Sequence, residues 1–318
     1  PLQNDCIGTF TCRGMENGQM KTNQDYACSA MPFADIPGTA VFIVCDGHGR
    51  TGDDVSQEVL NSLAFELEEN ADSLLDEPGH TIARSFQAVN DHLSAMAAEP
   101  TIEVDARESG TCCVLAYLRA GSLWVGGVGD CRAVLGTEHE GNILTHALST
   151  DHVVDLPLER KRIEAAGGMV RDSWLAEDGA RMAAKLYENL NNTRLGPGLS
   201  ISRAFGDLNA KRFGLIPHPE LTYHKVTRRD LYLVLATDGV WEFLDSEDVI
   251  DVVHKCCTSG EPAQVACKTI IAKAARQWAV HEGDYRDDIT IVVAYLQPLM
   301  QGLSNDLALV RHCDPDEL

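Results

Sequence analysis

Three apolar runs in this chain each meet an acidic residue at one end. Thr39 to Cys45 runs into Asp46-Gly47-His48-Gly49, Leu231 to Thr237 runs into Asp238-Gly239, and Asp287-Asp288 immediately precede Ile289 to Val293. Each run has the length and β-branched content of a buried strand. A carboxylate at such a strand end, followed by glycine, is held rigidly and stays open to a ligand. If the three ends converge, their like charges repel by about 4 kcal/mol per pair at ~4 Å and an effective dielectric near 20. A bound cation relieves that repulsion, so the pattern reads as a metal-dependent hydrolase. One Asp-Gly pair alone is a common turn, and the inference rests on several acidic points occurring together.

Further motifs lie among these points: Asn23-Gln24-Asp25, Ser109-Gly110-Thr111, Val128-Gly129-Asp130-Cys131-Arg132-Ala133, Thr150-Asp151-His152 and Ser202-Arg203-Ala204-Phe205-Gly206-Asp207. In this order the set resembles the metal-dependent serine/threonine protein phosphatases of the PP2C (PPM) family, from about Ile7 to Leu296. Several ordered motifs matching at once make a specific signal.

Lys and Arg number 26 against 48 Asp and Glu, a formal net charge of −22. Such a surface repels nucleic acid and anionic membranes and leaves neither as an expected partner. The 11 cysteines include Cys112-Cys113 and Cys256-Cys257 inside apolar stretches, with no zinc-type pair of CxxC pairs. Buried free thiols in a reducing compartment, cytoplasmic or nuclear, fit better than a disulfide framework. Neither an 18-residue apolar span nor a signal peptide is visible. The chain opens on Pro1, so we expect a trimmed sequence, with any myristoylation or targeting signal lying upstream of it.

Ile7 to Cys12 and Asp25 to Cys28 read as strands, and Asp53 to Leu67 and Thr81 to Ala97 as helices with one buried stripe. Thr111 to Leu118 and Ser122 to Val128 read as a hairpin, followed by a strand from Arg132 to Leu135. Leu158 to Ala166 is a short helix stopped by Gly167-Gly168. Helices follow over Ser246 to Cys256, capped by Asp245 or Ser246, and over Pro262 to Ala279, with a closing strand from Asp288 to Leu296. Hairpins with helices in sequential pairs argue for an α+β fold with mostly antiparallel sheets. The resemblance sharpens this to a four-layer α-β-β-α sandwich with two central sheets. We read residues 1–296 as one catalytic domain with a flap-like insertion at about 169–199. Residues 297–318 read as a C-terminal tail, either a docked helix around Asp306 to Arg311 or a frayed end.

The ligand set is rich in oxygen, which favours Mn²⁺ or Mg²⁺ over zinc. By resemblance, Asp46 bridges two cations, the Gly47 carbonyl serves one, and Asp238 and Asp287 complete the other. A water activated between the cations would then attack phosphorus directly. Asp25 matches a carboxylate that orients metal-bound water, preceded here by Gln24 where many members have Glu. Asp151 matches a position of a third, weaker metal, and suits an N-cap equally well. His48 is our general acid. Asp130 with Arg132, and Arg203 with Asp207, read as charge pairs that fix tight bends.

Where the family commonly carries a phosphate-gripping Arg, five residues before Asp25, this chain has Met20. Lys21 and Arg13 are the candidates for that role. The resemblance implies phosphorylated protein substrates and, on our reading, a monomer. A catalytically dead adaptor would be expected to lack a metal carboxylate, and none of Asp46, Asp238 and Asp287 is missing. A small phosphorylated metabolite as substrate remains the alternative.

Overall fold

The structure, a computed structural model, describes residues 5–99, 104–176 and 181–303. Two sheets dominate it. One has five strands in the order Ile7–Cys12, Ile289–Tyr295, Asp230–Ala236, Arg132–His139, Asn142–Ala147. The other has six: Glu220–Lys225, Ser122–Val128, Gly110–Arg119, Thr39–His48 and Asp25–Ala30 in order, with Phe205–Gly206 paired to Gly110–Arg119. All these pairings are antiparallel.

The strand Thr39–His48 shows why its sequence is a continuous apolar run. Val41, Ile43 and Cys45 pack with Val55, Val59 and Leu63 of the helix Gly52–Glu69 and with Ile82, Phe86 and Val89 of the helix Pro78–Ala98. Ala40, Phe42 and Val44 point the other way, into a core shared with Val234, Ile291 and Val293 of the five-stranded sheet. Successive side chains alternate faces, so both faces are buried and no position is left for a polar residue. The helices Ser246–Thr258 and Ala263–His281 add Val249, Val253, Ile270 and Ala274 to this second core. The Asp245 side chain caps the first of these helices, accepting from Asp248 N at 3.1 Å.

Several elements carried no clear signal. The helix Ala71–Asp76 and the strands Asn142–Ala147 and Glu220–Lys225 contain few buried residues. Both strands lie at sheet edges, where one row of backbone groups is unpaired and side chains face water. The described residues within 169–199 include short strands: Met169–Arg171, Lys185–Tyr187 and Pro197–Leu199 make one small sheet, and Trp174–Leu175 pairs with Arg181–Met182. After Tyr295 the chain turns helical over 296–303, and Leu299 and Leu303 are buried in the core. The segment Asp306 to Arg311 lies outside the described residues.

Candidate metal centre

The loops at one end of the two sheets bring three carboxylates together. Asp46 stays in the ladder, opposite Cys112 on one side and Asp25 on the other. Asp238 opens a single helical turn, Asp238–Trp241, directly after its strand. That turn is anchored by two buried indoles: Trp241 Nε1 donates to the Ala236 carbonyl at 2.9 Å and Trp278 Nε1 to the Gly239 carbonyl at 2.8 Å. Asp130 sits in the bend between Ser122–Val128 and Arg132–His139, next to Gly129 at φ +84°. Asp46, Asp130 and Asp238 each place a carboxylate oxygen so that all three lie within 4.8 Å of one another. Asp287 lines the same cavity of about 390 Å³, along with Lys21, Gln24, Gly47 and His48.

This corrects our reading of Asp130, which joins the cluster rather than pairing with Arg132. Arg132 instead grips Asp151, with Nε 3.1 Å from Oδ1 and Nη2 2.6 Å from Oδ2. Asp151 is thus held by an arginine, and its oxygens are not among the three that lie within 4.8 Å of one another. Arg203 likewise bonds Glu159, at 2.8 and 3.0 Å, rather than Asp207. Asp287 is held by the Lys21 ammonium and by Tyr285, whose hydroxyl donates at 3.3 Å.

The electrostatics fit a cation. Burial, then the charges of Asp238, Asp25, Asp287 and Asp130, push the Asp46 carboxyl well above the usual range. Burial and then Asp130 and Asp287 do the same to Asp238. Asp151, Asp207 and Asp287 each have a cationic or imidazole partner. Among the described residues, no lysine, arginine or histidine forms an ion pair with Asp46, Asp130 or Asp238. A cluster of carboxylates, with Gly47 lining the same cavity, is a donor set suited to a hard divalent ion. Gly47 has no space for a side chain, since a Cβ there would lie 2.3 Å from the Gly52 carbonyl oxygen.

Asp25 is 3% exposed and accepts from Thr237 Oγ1 at 2.9 Å. Burial and then the Asp288 charge raise it to about 8. Gln24 braces the site with its backbone and side chain together. Its N–H donates to Asp288 Oδ2 at 2.9 Å, its carbonyl accepts from Gly47 N at 3.0 Å, and its amide donates to the Gly49 carbonyl at 2.8 Å.

His48 Nε2 lies 2.7 Å from Asp207 Oδ2, and Asp207 is 4% exposed. Burial alone would lower the imidazole pKa, but the charge and hydrogen bond of Asp207 outweigh it and raise it above its usual value. Asp207 takes a left-handed φ of +46°. Opposite it Gly110 must lack a side chain, because a Cβ would come within 2.1 Å of Asp207 Oδ2. The half-buried Lys211 donates to the Ala204 carbonyl at 2.5 Å, and burial pulls its pKa down to about 7 against the raising influence of Asp207.

Of the phosphate candidates, Lys21 lines the cavity, while Arg13 is exposed and does not. Met20, at the position of the family arginine, is 67% exposed. Sequence reasoning missed Asp130 as a cluster member and Asp207 as the histidine partner. A signal for the first was present: Gly129-Asp130 follows an apolar run just as Asp238 follows its own. For Asp207 no local signal exists, since its partner lies 159 positions away.

A sequence profile described as Protein phosphatase 2C matches residues 16–283. Arabidopsis thaliana "Probable protein phosphatase 2C 72" is 32% identical, over 88% of this chain and 83% of its own length. "Probable protein phosphatase 2C 6" of the same plant is 29% identical over 92% of this chain, which spans 65% of that relative's length. A Toxoplasma gondii serine-threonine phosphatase 2C superposes with a TM-score of 0.76 at 21% identity, covering 91% of this chain and 94% of that one.

Proposed function

Because this chain belongs to the protein phosphatase 2C family of metal-dependent serine/threonine phosphatases, we propose that it hydrolyses phosphoserine and phosphothreonine monoesters in proteins. Two divalent cations, Mn²⁺ or Mg²⁺, would supply a water activated for in-line attack on phosphorus. Asp46, Asp238, Asp287 and the Gly47 carbonyl would hold them, with Asp130 added by its place in the cluster. The observation that carries this reading is the convergence of Asp46, Asp130 and Asp238 in one cavity with His48 on its wall.

The chain's own groups have separable tasks. Asp25, bonded to Thr237 and opposite Asp46 in the ladder, orients what Asp46 binds. His48, whose protonated form Asp207 favours, donates a proton to the departing serine or threonine oxygen. Lys21, fixed on Asp287 at the cavity wall, brings positive charge to the phosphoryl group.

We take residues 1–296 as the catalytic domain and 169–199 as its inserted flap, and we read the protein as a monomer. The ten free cysteines among the described residues support a reducing compartment, cytoplasmic or nuclear. No helix among the described residues is long and apolar enough to cross a membrane.

The test is hydrolysis of phosphopeptides and small phosphorylated metabolites side by side, with and without Mn²⁺ or Mg²⁺. Metal-dependent release of phosphate from phosphoserine and phosphothreonine peptides is expected. Turnover confined to metabolites would replace the substrate class, and turnover in verified metal-free protein would remove the mechanism.

A further inference from the structure

A second cavity of about 340 Å³ adjoins the carboxylate cavity, and Glu108, Pro197 and Leu199 line both. Asp207 lines the second cavity and holds His48 of the first. The second cavity therefore lies on the proton-donor side of the reaction centre. When a donor protonates the leaving oxygen, the leaving group is a serine or threonine side chain, so its polypeptide must pass that side.

The lining of this cavity is unusual for a chain of net charge −22. Pro197, Leu199 and Phe213 form apolar walls, and Arg107, Arg194 and Arg212 bring three exposed guanidinium groups. Two of its three carboxylates are engaged: Asp207 by His48, and Glu188 by Arg212 at 3.1 Å. Arg107 donates to the Ala97 carbonyl, which leaves its charge uncompensated. Arg107 and Arg194 thus face one remaining carboxylate, Glu108. The Arg212 guanidinium lies 4.6 Å from the Phe213 ring centre, which restricts its position. Its ion pair with Glu188 is largely exposed, and such a pair exchanges for a better anion at little cost.

Building on the phosphatase reading, we propose that this second cavity is a substrate subsite. It takes an anionic side chain, a carboxylate or a second phosphoryl group, flanking the phosphoserine or phosphothreonine being cleaved. Arg194 and Arg212 are its specificity-determining residues. The planar arginine fork suits either anion, because both offer paired oxygens to two N–H donors.

The test uses phosphoserine peptides of one sequence that differ only within about three residues of the phosphoserine, the reach of an extended chain of ~10 Å. One carries neutral residues there, one glutamates, one a second phosphoserine and one lysines. In excess Mn²⁺ the better anionic peptide should exceed the neutral one in kcat/KM by about tenfold, the scale of one charge-assisted hydrogen bond. Which of the two anionic peptides gains more identifies the group the subsite takes. In the double variant Arg194→Ala, Arg212→Ala the ratio should fall to about one, and Arg194→Glu should favour the lysine peptide. Each ratio is internal to one variant, so a general loss of activity cancels. A wild-type ratio near one, or an undiminished ratio in the double variant, overturns the subsite. Failure of wild-type protein to cleave any of the peptides with metal overturns the phosphatase reading instead.

Discussion

His48 and Asp207 meet across 159 positions of sequence, with 2.7 Å between Nε2 and Oδ2. The bond favours the protonated form of the donor, so its value depends on how much the leaving group needs a proton. A serine alkoxide needs one, whereas p-nitrophenolate leaves largely unaided. His48→Gln should therefore lower kcat on a phosphoserine peptide by about 10²–10⁴-fold, and much less on p-nitrophenyl phosphate. Asp207→Asn should show the same asymmetry to a smaller degree. Equal losses on both substrates, at saturating metal, would remove His48 from the donor role.

Metal removal should act on stability as well as on turnover. Asp46, Asp238 and Asp25 have raised pKa values in the folded protein, Asp25 to about 8. In the folded state such groups hold their protons to higher pH than they do in the unfolded chain. Their stabilising contribution is fully present below the usual carboxylate range and is lost as pH rises toward about 8. The Tm of metal-free protein should thus fall by ~5 °C or more between about pH 5 and pH 8. Excess Mn²⁺ should flatten that slope. Calorimetry at a series of pH values, with and without metal, checks both.

Asp238→Asn should abolish metal-dependent turnover and raise the metal-free Tm most at the alkaline end of that range, where the native carboxyls lose their protons and repel one another. Asp130→Asn should do likewise, which separates a cluster member from a loop-fixing residue. Wild-type turnover of either variant at saturating metal would count against that residue as a ligand.

Glu159 is 4% exposed and accepts from Ser202 Oγ at 2.6 Å and from Arg203, and it pairs with Arg162 at 2.8 Å. Burial would raise its pKa, but the bonds from Arg203, Ser202 and Arg162 outweigh it and hold the carboxyl at about 2. A depressed pKa stabilises the fold above the ordinary carboxylate range and loses that effect as pH falls. Glu159→Gln should cost about 3 kcal/mol near neutral pH, with the deficit narrowing below about pH 4.5. Urea denaturation of both proteins across that range measures it.

Two glycine substitutions should separate close approach from backbone conformation. A Cβ at Gly239 would lie 1.9 Å from the Asp288 carbonyl oxygen, whereas at Gly141, with φ +82°, nothing lies within 4 Å. Gly239→Ala should cost about 3 kcal/mol or more and displace the neighbouring Asp238. Gly141→Ala should cost about 1 kcal/mol and leave turnover intact. Denaturation midpoints and phosphatase assays on the pair decide this.

The central strands were legible because burial on both faces forces an unbroken apolar run, as in Thr39–His48. The edge strand Glu220–Lys225 was not, because its mixture of exposed and half-buried positions imposes no such pattern. The acidic strand ends located the site, yet sequence cannot say which acid an arginine will choose. Asp130 and Asp151 were both available to Arg132, and the fold gives it Asp151 while Asp130 joins Asp46 and Asp238. The pairs Arg203–Glu159 and His48–Asp207 are equally non-local, set by how loops from different strands come to rest.

The bonds from Gln24 N–H to Asp288 and from Thr237 to Asp25 each cross from one sheet to the other. Asp25 stands opposite Asp46 in the ladder and Thr237 immediately precedes Asp238, so the spacing of Asp46 from Asp238 is a measure of how the sheets are aligned. A shear of the sheets by a fraction of a strand repeat would part these oxygens before the hydrophobic layers separated. Catalytic output therefore acts as a vernier on the alignment of the two sheets, and it should register a slip in the core that bulk unfolding probes do not yet see.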